Sequence, residues 1–250
     1  MDVSLYQAAA AMNATARWQD LIAQNLASAS VPGARKQEIT FSDVQAGLAA
    51  NLSGSGSLSS YIPSASTVTN FSAGELRPTG NPMDFALEGP GFFTVQMPDG
   101  SNAYTRDGEF HLGPQGQVVT KQGYAVLGTG GPLRLNPNTP GDVTISANGD
   151  VSQGNQNIGT LQVNEFSNLR SLNSIGGGYF SADESSGELA VAGLTHVRQS
   201  FVEQGNASPT TEMASLITAM RMFESNQKVL QMQGDRMSRV ITDLGGNSSS

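Results

Sequence analysis

The sequence predicts an α+β protein: long N- and C-terminal helices forming a coiled-coil-like layer, with an all-β central body. Three observations predict it. Of 29 glycines in 250 residues, 25 lie between positions 47 and 206, while residues 1–46 hold only Gly33 and residues 207–244 only Gly234. Both glycine-poor ends carry apolar residues at alternating spacings of three and four, the spacing of a helix seam. The middle consists of short apolar runs separated by Asp-Gly and Gly-Pro steps, which are turn signals.

Residues 3–30 lack Gly and Pro and are rich in Ala, Met, Leu and Gln, all good helix formers. Val31-Pro32-Gly33 stops this helix. Its seam reads Leu5, Ala9, Met12, Ala16, Gln19, Ala23 and Leu26, with small residues where a partner helix could approach closely. Residues 44–74 carry no charge, and ten of the twenty residues 47–66 are Gly or Ser, the composition of a flexible connector. From Asn81 onward the spans 92–97, 102–105, 109–112 and 117–120 read as a run of hairpins. Further strands are predicted at 124–127, 143–146, 160–166, 179–182 and 196–202, a spacing that suits a sandwich or irregular barrel.

Ser208-Pro209 is an N-cap followed by proline at the first helical position, with Glu212 in the first turn and Gly245-Gly246 at the far end. The heptad positions between them are Met213, Leu216, Met220, Phe223, Gln227, Leu230, Gly234, Met237, Ile241 and Leu244. A helix of about 35 residues is roughly 50 Å long, longer than a small domain is wide, and needs another helix alongside. The organisation that follows is an N-terminal assembly helix and turn (1–43), a connector (44–80), a β body (81–203) and a C-terminal assembly helix with its tail (204–250). Both seams are candidate subunit interfaces.

The net charge of −8 and pI near 4.7 argue against nucleic acid as a partner, which needs a basic face. Most of that charge, −7, falls in residues 31–208, leaving the two helical ends near neutral and suited to packing. No run of about 18 apolar residues is present, so membrane insertion is not predicted. Residues 1–16 lack the basic start of a secretory signal. With no Cys and only His111 and His196, disulfides, thiolate catalysis and His-rich metal sites are excluded.

Carboxylates are the only abundant catalytic candidates: Asp84, Glu88, Asp99, Asp107 and Glu109. Asp99 and Asp107 precede glycines in predicted turns, where the side chain supports the turn itself. Gly128-Thr129-Gly130-Gly131 and Gly176-Gly177-Gly178 lack the cation and helix start of a phosphate loop. No catalytic, cofactor-binding or metal-binding residue is assigned, and no enzyme is predicted.

Three blocks of sequence carry a resemblance. The first is Asn25-Leu26-Ala27-Ser28-Ala29-Ser30-Val31-Pro32-Gly33. The second runs from Asn81 through Gly91-Phe92-Phe93, with Ala103-Tyr104-Thr105-Arg106-Asp107-Gly108 and Gly116-Gln117-Val118-Val119. The third is Glu203-Gln204-Gly205-Asn206, leading to Glu212-Met213 and Arg221-Met222-Phe223-Glu224-Ser225-Asn226. In this order, over nearly the whole chain, they resemble the bacterial flagellar rod and hook proteins of the basal body.

Within that family the proximal rod type is nearest, from the Met1-Asp2 start, Gly74-Glu75-Leu76-Arg77-Pro78-Thr79-Gly80 and Gly130-Gly131-Pro132. The distal type is close behind, through Gly91-Phe92-Phe93 and Pro98-Asp99-Gly100. Ser28, Ala34 and Gly205 depart from the family pattern, and Ala34 in place of an aromatic implies a looser turn after the first helix.

The resemblance implies a structural subunit whose terminal helices pack with those of neighbours as the inner layer of a helical tube. That tube transmits torque and conducts exported subunits. Its implied partners are copies of itself, other rod proteins and, transiently, the flagellar export apparatus. The implied location is the basal body crossing the periplasm, reached without a cleaved signal peptide. The competing readings are a distal rod or hook-type subunit, a rod-associated peptidoglycan hydrolase, and a non-flagellar tube or adhesin.

Overall fold

The computed structural model describes residues 3–45, 61–136, 141–189 and 193–245. Helix α1 spans Val3–Ser28 and α2 spans Pro209–Gly245. The strands begin with β1 (Gln37–Gln45), β2 (Tyr61–Thr69), β3 (Leu76–Pro78), β4 (Phe85–Glu88), β5 (Phe92–Gln96) and β6 (Asn102–Thr105). Next come β7 (His111–Leu112), β8 (Val118–Val119), β9 (Ala125–Gly128), β10 (Gly131–Pro132), β11 (Val143–Ile145), β12 (Asp150–Gln153) and β13 (Gln156–Thr160). The last are β14 (Val163–Phe166), β15 (Asn173–Gly176), β16 (Tyr179–Ser181), β17 (Glu188–Leu189), β18 (His196–Gln199) and β19 (Phe201–Glu203).

The chain divides into two compact units. One takes Met1–Leu26, Gln37–Val68 and Pro209–Ser250, the other Ala27–Lys36 and Thr69–Ser208. The second unit is the β body. Its largest sheet runs β15-β16-β6-β5-β9-β8-β7, with β14 and β10 attached to β5 and β9. Smaller pairings are β11-β12-β13, β18-β4 and β19-β3, and every pairing in the body is antiparallel.

Strand β5 is central because Phe92-Phe93-Thr94-Val95 is apolar enough to be buried on both faces. Successive side chains alternate in direction. Phe93 and Val95 enter a cluster with Phe85, Phe110, Val126 and Val151, while Phe92 enters another with Tyr104, Phe166 and Phe180. Edge-to-face ring pairs such as Tyr104–Phe166 at 4.8 Å and Phe93–Phe110 at 5.1 Å fix the packing.

In the first unit α1, α2 and the β1–β2 pair come together. Here the predicted class is corrected. The chain does not form the predicted coiled-coil-like helical layer: the described residues hold nineteen strands against two α-helices and two short 3-10 turns, and the inward faces of the helices coincide with the expected seams only in part, at Leu216, Phe223 and Leu230 on α2. On α1 the buried residues are Ala14, Thr15, Leu21, Ile22 and Asn25, whereas Ala9 and Ala23 of the expected seam are exposed. On α2 the stripe turned inward is Glu212, Leu216, Ala219, Phe223, Asn226, Leu230 and Gln233. Met213, Met220 and Met237 are half exposed instead.

The physical reason is that close approach rewards small and hydrogen-bonding groups over apolar bulk. Ala219 is wholly buried, Thr15 Oγ1 accepts from Asn226 Nδ2 (3.4 Å), and Glu212 Oε2 accepts from Asn25 Nδ2 (3.4 Å). Those contacts pair the end of α1 with the start of α2, so the helices run antiparallel. Residues 61–69, read as part of a flexible connector, form β2.

Candidate functional site

Two places gather the residues that the sequence singles out, one in each unit. In the helical unit, Asn25 closes the end of α1: its Oδ1 accepts from Gln37 N and its Nδ2 donates to Gln37 O, both at 2.8 Å. Leu26, Met12, Ala16, Leu216, Phe223 and Leu230 are half-buried, and Glu212 is buried. Ala27 and Glu224 are exposed. The side chains of Leu5, Ile241 and Leu244 lie outside the described residues.

The outward side of α2 carries Met213 (53% exposed), Ile217 (54%) and Met220 (52%) at i, i+4 and i+7, one face of a helix. Met222, Val229, Met232 and Met237 are also exposed, at other angles around the helix. Single exposed apolar residues need no explanation, but a series of them along one helix marks an interaction surface.

In the body, Arg106, Asp107, Gly108, Gly91 and Phe92 are buried, and Arg106 and Glu203 form the centre of the site. Arg106 Nη1 donates to Glu203 Oε2 (3.1 Å), Arg106 Nη2 to Gly89 O (2.5 Å), and the guanidinium lies 4.9 Å from the Phe92 ring centroid. Arg35 Nη2 donates to Glu203 Oε1 at 2.7 Å. Burial draws the Arg106 pKa down to about 10, with Arg35 adding to that and Glu203 opposing it, so the group stays charged at neutral pH.

Gly33 sits at φ +67°, and a Cβ there would come within 2.3 Å of the Arg106 carbonyl carbon. Despite Ala34 replacing an aromatic, the turn after α1 is therefore tightly packed: Ala34 itself is 5% exposed. Gly108 is required by close approach rather than by its backbone angle, since a Cβ would meet Phe85 O at 1.6 Å.

Asp107 supports its turn by accepting from Glu109 N (3.0 Å), and Asp99 does the same for Ser101 N (2.9 Å). Burial, reinforced by Glu109 and Asp84, raises the Asp107 pKa to about 6, against the backbone hydrogen bond and Lys121. A carboxylate raised in the folded state binds more protons there than in the unfolded chain between about pH 4 and pH 6, so stability falls as pH rises through that window. Asp107→Asn keeps the acceptor for Glu109 N and removes the charge. Its melting temperature is expected to match or exceed wild type at pH 7 and to lose the decline between pH 4.5 and 7, worth about 2 kcal/mol. A wild-type body that gains stability over the same range would refute this.

Among the described residues no cluster of three or more His, Asp or Glu could hold a metal, and no helix is long and apolar enough to cross a membrane. His111 and His196 are exposed. Sequence reasoning missed Arg35 and Thr15, and passed over Glu203 and Asn226 inside quoted motifs. A single charge placed directly after Phe201-Val202 in a strand was the available sign that Glu203 points inward.

The body thus centres on a buried salt-bridged motif, and α2 displays an exposed apolar face, a combination that belongs to an assembly protein. Residues 86–153 match the family model for the flagellar hook protein FlgE/F/G D1 domain, and residues 198–244 that for the flagellar basal body rod FlgEFG protein C-terminal region. The chain is 31% identical to the flagellar basal-body rod protein FlgF of Mesorhizobium japonicum, covering 99% of this chain and 100% of that one. It is 31% identical to the rod protein FlgG of Borreliella burgdorferi (96% and 98% covered) and 30% identical to that of Bacillus subtilis (95% and 97%). The chain belongs to the flagellar basal-body rod and hook family and is a structural rod protein.

Proposed function

We propose that the chain polymerises with copies of itself and with other rod proteins into the torque-transmitting tube of the basal body, through the exposed face of α2. The observation that carries this reading is the run of exposed Met213, Ile217 and Met220 beside an inward stripe already occupied by α1 contacts. Methionine suits such a surface because its unbranched side chain adapts to a partner's shape. The acidic body, which carries most of the net charge, is suited to staying solvated. The subunit reaches its place, crossing the periplasm, through the flagellar export apparatus.

Relatives of the FlgF and FlgG types match at the same 31% identity, and the proximal type is favoured on the Met1-Asp2 start and on the Gly74–Gly80 and Gly130-Gly131-Pro132 blocks. Quantitative mass spectrometry of detergent-extracted basal bodies tests the proposal. Several copies per particle, lost together with motility in a deletion strain, are the expected result. Absence of the chain from particles of cells that express it would overturn the reading.

A further inference from the structure

The chain passes between its two units after Leu26, after Lys36, after Val68 and after Ser208. Within the body, the segments beside the last three of these crossings are tied together by two side chains. Glu203 Oε1 accepts from Arg35 Nη2 and from Gly74 N, each at 2.7 Å, its Oε2 accepts from Arg106 Nη1, and its backbone oxygen accepts from Gly33 N at 2.7 Å. Asn206 Oδ1 accepts from Lys36 N (2.6 Å), and Asn206 Nδ2 donates to Asn70 O (2.8 Å) and Ser72 O (3.0 Å). The Asn206 backbone N–H donates to Ala34 O at 3.2 Å, and Asn70 N–H to Lys36 O at 2.9 Å.

Residues 33–36, 70–74 and 203–206 are thereby bonded pairwise to one another, and only β3 and β19 give any of them a short ladder. Glu203 and Asn206 lie three residues apart on one segment, and Gly33 and Lys36 three apart on another. Freeing either bonded pair therefore loosens the other.

We propose that Glu203 and Asn206 are positioning residues that form one cooperative latch, holding together the chain segments beside three of the four crossings, and that a subunit is incorporated and carries load only with the latch closed. The second half rests on the rod reading above; the first does not.

Amide hydrogen exchange of purified Asn206→Ala, resolved by residue, tests the latch. Lys36 N–H loses its acceptor directly, whereas Gly33 and Gly74 N–H bond to Glu203 and lose nothing directly. A cooperative latch accelerates all three by a similar factor, about tenfold or more, while Phe85 and Val118 amides in the body keep wild-type rates. Acceleration at Lys36 alone would overturn it. Should Asn206→Ala also expose Phe85 and Val118, the measurement moves to Asn206→Asp, which keeps the acceptor for Lys36 and loses the donor to Asn70 and Ser72. There, wild-type rates at Gly33 and Gly74 would overturn the latch and joint acceleration would support it.

In cells, Asn206→Ala is expected to lower copies per basal body and to slow swimming in viscous medium. Unchanged incorporation and swimming with an open latch would overturn its role in the rod. Wild-type chain absent from basal bodies would instead mean that the rod reading has failed, with the latch still judged by exchange.

Discussion

A subunit carrying Met220→Asp is expected to fold as wild type does and to be missing from the rod. Met220 is 52% exposed in the single chain, so an aspartate there is hydrated and shifts the stability of the subunit by no more than about 0.5 kcal/mol. If the face is buried by a neighbour, the same change removes about 1.5–3 kcal/mol of apolar burial. It also places a carboxylate where water has been excluded, which costs about as much again unless a partner is found. The loss recurs at every subunit of a polymer. Ala219→Asp is the contrast, because Ala219 is wholly buried within the subunit and its replacement should lower the melting temperature of the isolated chain. Circular dichroism melts, together with copy number in extracted basal bodies, separate the two. Normal incorporation of Met220→Asp would remove the α2 face from the assembly surface.

The difference between Met220 and Ala219 also shows what was legible in the sequence. Helix boundaries were, since Pro209 and the glycine distribution mark them by backbone geometry that tertiary contacts cannot override. So was the β5–β6 hairpin, because Pro98-Asp99-Gly100 needs Gly100 at φ +85° and Asp99 to hold Ser101 N. The register of the helix seams was legible only in part, at Leu216, Phe223 and Leu230. A reading by hydropathy prefers Met213, Met220 and Gly234 to Glu212, Ala219 and Gln233, but facing helices select positions by size and by what can be hydrogen-bonded. Strands β12 and β13 escaped for a related reason: Asp150-Val151-Ser152-Gln153 and Gln156-Asn157-Ile158-Gly159-Thr160 bury few apolar side chains and are held by register rather than by hydrophobic alternation. The salt-bridged centre was half legible, with Arg106 inside a recognisable motif and its anion, Glu203, ninety-seven residues away.

That anion carries the second large effect. Glu203→Leu is expected to destabilise the body by about 3–5 kcal/mol, because it leaves two guanidinium groups buried without their counter-ion. Arg35 and Arg106 side chains are 1% and 4% exposed, and Nε and Nη1 of Arg35 and Nε of Arg106 have no hydrogen-bond partner among the described residues even with Glu203 in place. Removing Glu203 also takes away the carboxylate that opposes the lowering of the Arg106 pKa by burial, so keeping that guanidinium charged costs more in the variant than in the wild type. At about 2–4 °C per kcal/mol for a chain of this size, the melting temperature should fall by roughly 10 °C. Adding Arg35→Leu and Arg106→Met to Glu203→Leu removes the stranded charges, and part of the loss should return. Recovery stays incomplete because Arg106 also donates to Leu87 O and Gly89 O, which the methionine leaves unpaired. A melt of Glu203→Leu within a degree or two of wild type would mean that the two arginines find other partners, and that the buried carboxylate does not hold the body together.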